Sequence, residues 1–332
     1  VEVSSIEELK ERNEADIKGK IVFINQPMDQ RFIHTGYAYG ACGAIRVHGA
    51  AEGALKGAVA VISRSLSSID DDFPHTGTLV YRDSIPKIPG IAISVEDSEL
   101  LHDRVLQEKT MLGIKLNCES LEDVTSYNVI AEIKGSDEPD KVMVVGGHLD
   151  SWDIGEGAHD DGAGVVQSLE VLRTFKTLEI KPKHTLRCVF FMNEENGMRG
   201  AEAYAAWAKT NKDEIPWVAM ESDMGGFTPR GFIVKGDKLY LDALREWNGL
   251  FKPYFADLME PGYGGPDINR LEDQGTVLIG YVPDPQRYFD IHHSENDVFE
   301  NVNKRELHLG AATMASLLYL IDTHGLPEKI KK

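Results

Sequence analysis

The residues of this chain best suited to chemistry are histidines and carboxylates that recur where apolar runs stop. His148 and Asp150 stand just behind the run Val142 to Val145 in VMVVGGHLD, and Asp160 and Asp161 follow a Gly-rich loop. Glu194 and Glu195 come after the apolar stretch 185–192, Asp223 after 217–221, and His293 within HHSEND. Imidazole and carboxylate together suit Zn²⁺, whose catalytic sites keep one position open for water. The absence of thiolate from the set points to catalysis rather than structural bracing. His148, Asp160, Glu195, Asp223 and His293 exceed what one tetrahedral zinc needs, so two ions sharing a carboxylate is the economical arrangement. Asp160, at the start of a helical pattern, is the natural bridge.

Glu194 and Glu195 have separable roles. Adjacent residues at a strand end point in different directions, so one carboxylate can bind metal while the other acts as general base. Most other histidines (His34, His48, His75, His102, His184) have no partner pattern and receive no role. Asp161 and Asp267 read as helix N-caps, because helical patterns follow them. His159, beside Asp160, is a further candidate nitrogen.

The elements that must position these groups follow from periodicity. From residue 126 apolar strand-like runs alternate with amphipathic helical stretches, the pattern of a three-layer α/β sheet. In an open α/β sheet, ligands bind beyond the carboxyl ends of the strands. Strands are predicted at 127–134, 141–146, 185–192, 217–221, 231–235 and 276–281. The first two are expected to be neighbours joined by a turn at 135–140. Val165, Leu169, Leu172 and Phe175 share a helix face. Further helices are predicted at 200–209, 239–258 and 305–322. Residues 1–125 read as a separate, smaller α/β module with helices at 6–13, 41–56 and 96–108. Its predicted strands are 20–25, 58–63, 88–95 and 113–117, and it carries no catalytic constellation.

The 332 residues are enough for two domains with real cores. Hydrophobic residues make up 42% and the net charge is −19. That charge argues against nucleic acid, which calls for clustered Lys and Arg. Cys42, Cys118 and Cys188 lie far apart, so no disulfide framework or zinc knuckle can be drawn; Cys188 reads as a small buried hydrophobe. No stretch approaches a membrane span. The chain begins at Val1 without a signal sequence and reads as an excised or processed piece.

GHLDSWDIGEGAHDDGAG, NEENGMRGAEAY, ESDMGG and HHSENDV, in that order, resemble the co-catalytic zinc exopeptidases of the M28 peptidase family, in particular its carboxypeptidase Q-like branch. Residues 126–332 would be the peptidase domain, with a mixed, largely parallel sheet, and 1–125 resembles a protease-associated (PA) module. The resemblance implies His148, Asp160 and Asp223 on one zinc, Asp160, Glu195 and His293 on the other, and Glu194 as base. Asp150 would orient the His148 imidazole, with Asp297 serving the His293 loop. A dinuclear zinc exopeptidase for short peptides or dipeptides follows, secreted, periplasmic or extracellular. The rivals are a single-zinc cyclase on the same scaffold and a receptor-like ectodomain that binds without catalysis. The family also places chain ahead of the PA module within the peptidase domain. An uncovered apolar flank is therefore expected, covered by a homodimer partner or another segment.

Overall fold

The computed structural model describes residues 1–211 and 213–327, which fall into two compact units. Among these, the first comprises 1–124, 152–155 and 285–297, and the second 125–151, 156–211, 213–284 and 298–327.

In the first unit four short strands form a parallel sheet in the order β1 (Glu2–Val3), β2 (Ile21–Ile24), β3 (Ala60–Arg64), β4 (Gly90–Ile93). Ser5 caps the helix Ile6–Glu11 by accepting a hydrogen bond from the Glu8 N–H at 3.1 Å, with Glu7 and Glu8 in its first turn. Helices Ala44–Leu55 and Val95–Gln107 complete the alternation. The strand expected at 113–117 does not form. Ile114 packs against Phe23, Ile62 and Leu101 instead, while Leu116 is exposed. A segment with no ladder partner gains nothing from extended geometry.

The second unit is built on a seven-stranded sheet. Its strands are β5 (Val129–Ile133), β6 (Glu138–His148), β7 (His184–Phe191), β8 (Ile215–Glu221), β9 (Pro229–Lys235), β10 (Leu258–Pro261) and β11 (Val277–Pro283). The order is β10-β9-β11-β8-β6-β7-β5. Strands β11, β8, β6 and β7 run parallel, while β9 is antiparallel to β11 and β5 to β7. The mixed, largely parallel sheet is therefore as expected from sequence.

Strand β6 lies near the middle because both its faces are apolar. Met143 and Val145 face one cluster with Phe175, Met314 and Leu318, while Val142 and Val144 face another with Tyr204 and Ala205. Helices Ala163–Thr177 and Lys304–His324 cover the first face, and Arg199–Thr210 the second, giving three layers. Cys188 is fully buried, and burial pushes its thiol up to about 12.

Two further expectations fail, both in the second unit. Strand β5 pairs with β7, not with β6. Its residues are largely exposed, which suits an edge, whereas β6 needs a neighbour on each side. The helix expected over 239–258 breaks into Lys238–Arg245 and Asn248–Phe251, and Leu258 already begins β10. Pro253, which cannot donate an N–H, sits in the 3₁₀ turn that ends the helical stretch.

Candidate metal centre

Because β7, β6 and β8 are parallel neighbours, their carboxyl ends emerge along one edge of the second unit. His148 is the last residue of β6, Glu194 and Glu195 follow the end of β7, and Asp223 follows β8 by two residues. Asp160 reaches the same edge from the loop ahead of the helix Ala163–Thr177, and not from a regular helix start. Its φ of −118° and ψ of 84° are non-helical.

Glycines let this loop close on the strand ends. A Cβ at Gly147 would stand 2.2 Å from Asp161 Oδ2, and one at Gly164 would stand 2.0 Å from the Ser222 carbonyl oxygen. Asp161 fills the space so left. Its carboxylate accepts from the His148 N–H at 2.9 Å and the Gly164 N–H at 3.0 Å. The second bond lies at the start of the helix, although the N-cap position is Gly162 and not Asp161 as expected from sequence. The first bond is a strut to the metal-site strand.

His148 Nδ1 lies 2.8 Å from the main-chain carbonyl oxygen of Asp150. A carbonyl can only accept, so Nδ1 holds its proton and Nε2 is the nitrogen that gives one up when a metal binds. Nε2 lies 3.2 Å from Asp160 Oδ1 and 3.2 Å from Asp223 Oδ1. Zinc bonds of about 2.0–2.1 Å at a tetrahedral angle put ligand atoms about 3.3 Å apart, so this buried N,O,O set fits the ion. Its electrostatics point the same way. Burial pulls the His148 imidazole down, but the Asp160 and Asp223 carboxylates outweigh this and hold it well above its ordinary value. Burial raises Asp223 despite the opposing hydrogen bond from His148, and raises Asp161 well above the carboxylate range. A divalent cation would relieve that accumulation of buried negative charge.

Asp150 differs from the sequence expectation. Its carbonyl, not its carboxylate, orients the imidazole, the nearest carboxylate oxygen being 3.9 Å from Nδ1. The carboxylate accepts instead from the N–H groups of Glu194 at 3.0 Å and Glu195 at 3.3 Å. One residue thus ties the histidine to the paired glutamates. The Glu194 carboxyl is pushed up to about 8, first by burial and then by the Asp223 charge, with His148 opposing. His159 is not brought to this cluster. Its Nδ1 accepts from the Gly226 N–H at 3.0 Å, its Nε2 faces the Asn301 carbonyl at 3.2 Å, and its ring stacks on Phe227. His293 belongs to the first unit, on the segment after the 3₁₀ turn Pro285–Asp290, as does Asp297.

Two buried acids were not anticipated as parts of the site. The Glu221 carboxylate, 1% exposed, accepts from the N–H groups of Asp267 at 3.3 Å and Ile268 at 2.7 Å. Asp267 is no N-cap. Neither of its carboxylate oxygens has a hydrogen-bond partner, and the group is 1% exposed. Burial pushes it up to about 7; the His148 charge opposes, and the Asp223 and Asp150 charges push further. The signal in the sequence was the acidic residue two before Asp223 and the GGPD turn.

With a folded value near 7 against an ordinary 3.8, Asp267 keeps its proton where the unfolded chain has lost it. Its contribution to stability is therefore full below about pH 4 and is lost as pH rises through 7, about 4 kcal/mol in all. Asp267→Asn should flatten the pH dependence of stability in the zinc-stripped protein. Urea unfolding of both proteins between pH 4 and 8 checks this, and identical slopes would contradict it.

Residues 128–318 match the model of Peptidase family M28. Carboxypeptidase Q from Bos taurus is 36% identical over 320 residues, covering 96% of this chain. The chain spans 66% of that relative's length. The crystal structure of a peptidase M28 precursor from Shewanella amazonensis SB2B matches with a TM-score of 0.90 at 30% identity, covering 100% of this chain and 75% of that one. A zinc aminopeptidase from Bacillus subtilis shares the fold at a TM-score of 0.63 and 20% identity, covering 99% of this chain and 75% of that one. With well over half of its residues inside the family match and its strand-end acids and histidine in place, the chain belongs to peptidase family M28.

Proposed function

We propose that this chain is a zinc-dependent exopeptidase that hydrolyses short peptides or dipeptides. The convergence of His148 Nε2, Asp160 Oδ1 and Asp223 Oδ1 within 4.8 Å of one another carries the reading. Zinc held there would supply Lewis acidity towards a peptide carbonyl and make water a nucleophile near neutral pH. The rest of the chemistry belongs to the chain. Glu194 removes a proton from the attacking water and returns it to the leaving amine, a task suited to a carboxyl whose value lies far above the usual range. The Asp150 carboxylate fixes the main chain of Glu194 and Glu195, while the Asp150 carbonyl keeps His148 in the tautomer that offers Nε2.

The count of two ions, with Glu195 and His293 joining Asp160 around the second, is supported by the order of the sequence motifs. On the same family grounds we assign the first unit as PA-like and the protein as secreted or extracellular. Among the described residues no helix is long and apolar enough to cross a membrane.

The test is zinc content per chain together with hydrolysis of dipeptides bearing free or blocked ends. Two zincs and release of amino acids from unblocked dipeptides are expected, and the blocked series identifies the end recognised. One zinc would favour the cyclase reading. No zinc and intact dipeptides would leave only a binding platform.

A further inference from the structure

The first unit contains a buried histidine that the assignments above do not use. His75 is 0% exposed and lies in the segment PHTGT, which has neither helix nor strand. Its place is nevertheless fixed. The His75 N–H donates to Ser65 Oγ at 2.8 Å, and that hydroxyl donates to the Ile93 carbonyl of β4 at 2.7 Å. The His75 ring Nδ1 stands 2.6 Å from the carbonyl oxygen of His292, so Nδ1 carries the proton and donates. On the other side of the ring, Nε2 is 3.5 Å from Asp71 Oδ2.

Thr76 continues the grip. Its N–H donates to the His293 carbonyl at 2.9 Å, and its carbonyl accepts from His293 Nδ1 at 3.2 Å. Residues 75–76 thus hold residues 292–293 on both main-chain carbonyls and on one ring nitrogen. The hold has a purpose that the backbone makes visible. His293 has a φ of +60°, in the left-handed region. A non-glycine residue there is strained and persists only where its surroundings enforce it. The Thr76 carbonyl also sets the tautomer, because the proton on Nδ1 leaves the lone pair on Nε2.

We propose that His75 is a positioning residue for zinc binding. Its bond to the His292 carbonyl keeps the 292–293 turn in the left-handed conformation that presents His293 Nε2 as a ligand atom. The inference rests on the reading of His293 as a zinc ligand, and it adds a residue from a segment distant in sequence from all the peptidase motifs.

The test is zinc titration of the stripped full-length protein, followed by calorimetry and chelator competition. His75→Leu keeps bulk and removes the donor. It should weaken one of the two zincs about 10- to 100-fold and leave the other unchanged. His75→Asn places an amide donor close to the Nδ1 position and should stay within about threefold of the parent, whereas His75→Gln places it beyond reach and should resemble Leu. Equal affinities for Asn and Gln would overturn the proposal, since a space-filling role would move both alike, and that comparison decides even if His75→Leu does not fold. His293→Ala is the control. If it binds as much zinc as the parent, the ligand reading fails. If it loses one zinc while His75→Gln keeps both at parental affinity, only the positioning role fails.

Discussion

Glu194→Gln is expected to keep its zinc and lose about 10²- to 10⁴-fold in kcat, the usual cost of losing a general base. The amide has nearly the same shape, so the hydrogen bond from the residue 194 N–H to Asp150 Oδ1 survives and the turn stays in place. What goes is the ability to accept a proton. KM should change little, because contacts made equally in ground and transition states are untouched. Glu195→Gln should fail differently, by weakening one zinc, with activity partly restored at excess zinc. Parallel zinc analysis and steady-state kinetics on both variants separate the cases. If Glu194→Gln sheds zinc while Glu195→Gln keeps it and loses only turnover, the two roles are exchanged. If neither change slows hydrolysis, the peptidase reading itself is wrong.

The second large effect is expected at Asp160. Its Oδ1 faces His148 Nε2 at 3.2 Å, and the residue is 5% exposed. Asp160→Ala removes one of the two carboxylates that face His148 Nε2, and under the bridging assignment it removes a ligand from each ion. Loss of both zincs and of all measurable hydrolysis is the expected outcome. Asp161→Ala provides the contrast. It strips the acceptor from the buried N–H groups of His148 and Gly164, at a cost of about 1–3 kcal/mol for each group left unsatisfied. That variant should unfold earlier but bind zinc at the parental ratio where it is folded. Two tightly held zincs in Asp160→Ala, with metal lost in Asp161→Ala, would show that the bridge is the other aspartate.

Much of this site was legible in the sequence because strand ends are a local property. An apolar run of β-branched residues that stops at glycine announces a buried strand wherever it lies. His148 stands directly behind such a run, and Glu194 and Asp223 follow apolar runs of their own, so parallel neighbours were bound to bring them to one edge. The Ser5 cap and the burial of Cys188 were legible for the same reason, whereas the helix face read from sequence holds at Leu172 and Phe175 but not at Leu169, which is 47% exposed.

What the tertiary structure alone decided is pairing across distance. Nothing local says that β5 seats against β7, because an exposed strand fits any free edge and β6 is closed to it only because β7 and β8 already occupy both its edges. The alternating residues around Ile114 look like a strand but have no ladder to join. Main-chain acceptors leave no residue signature at all. That the Asp150 carbonyl holds the imidazole while its carboxylate holds two glutamate N–H groups depends on the path of the backbone. The buried, unpartnered carboxylate of Asp267 and the grip of His75 on the His292 carbonyl have the same origin. Each joins residues that only the folded chain brings within hydrogen-bond reach, where burial turns an ordinary acid or histidine into a strongly perturbed or rigidly held one.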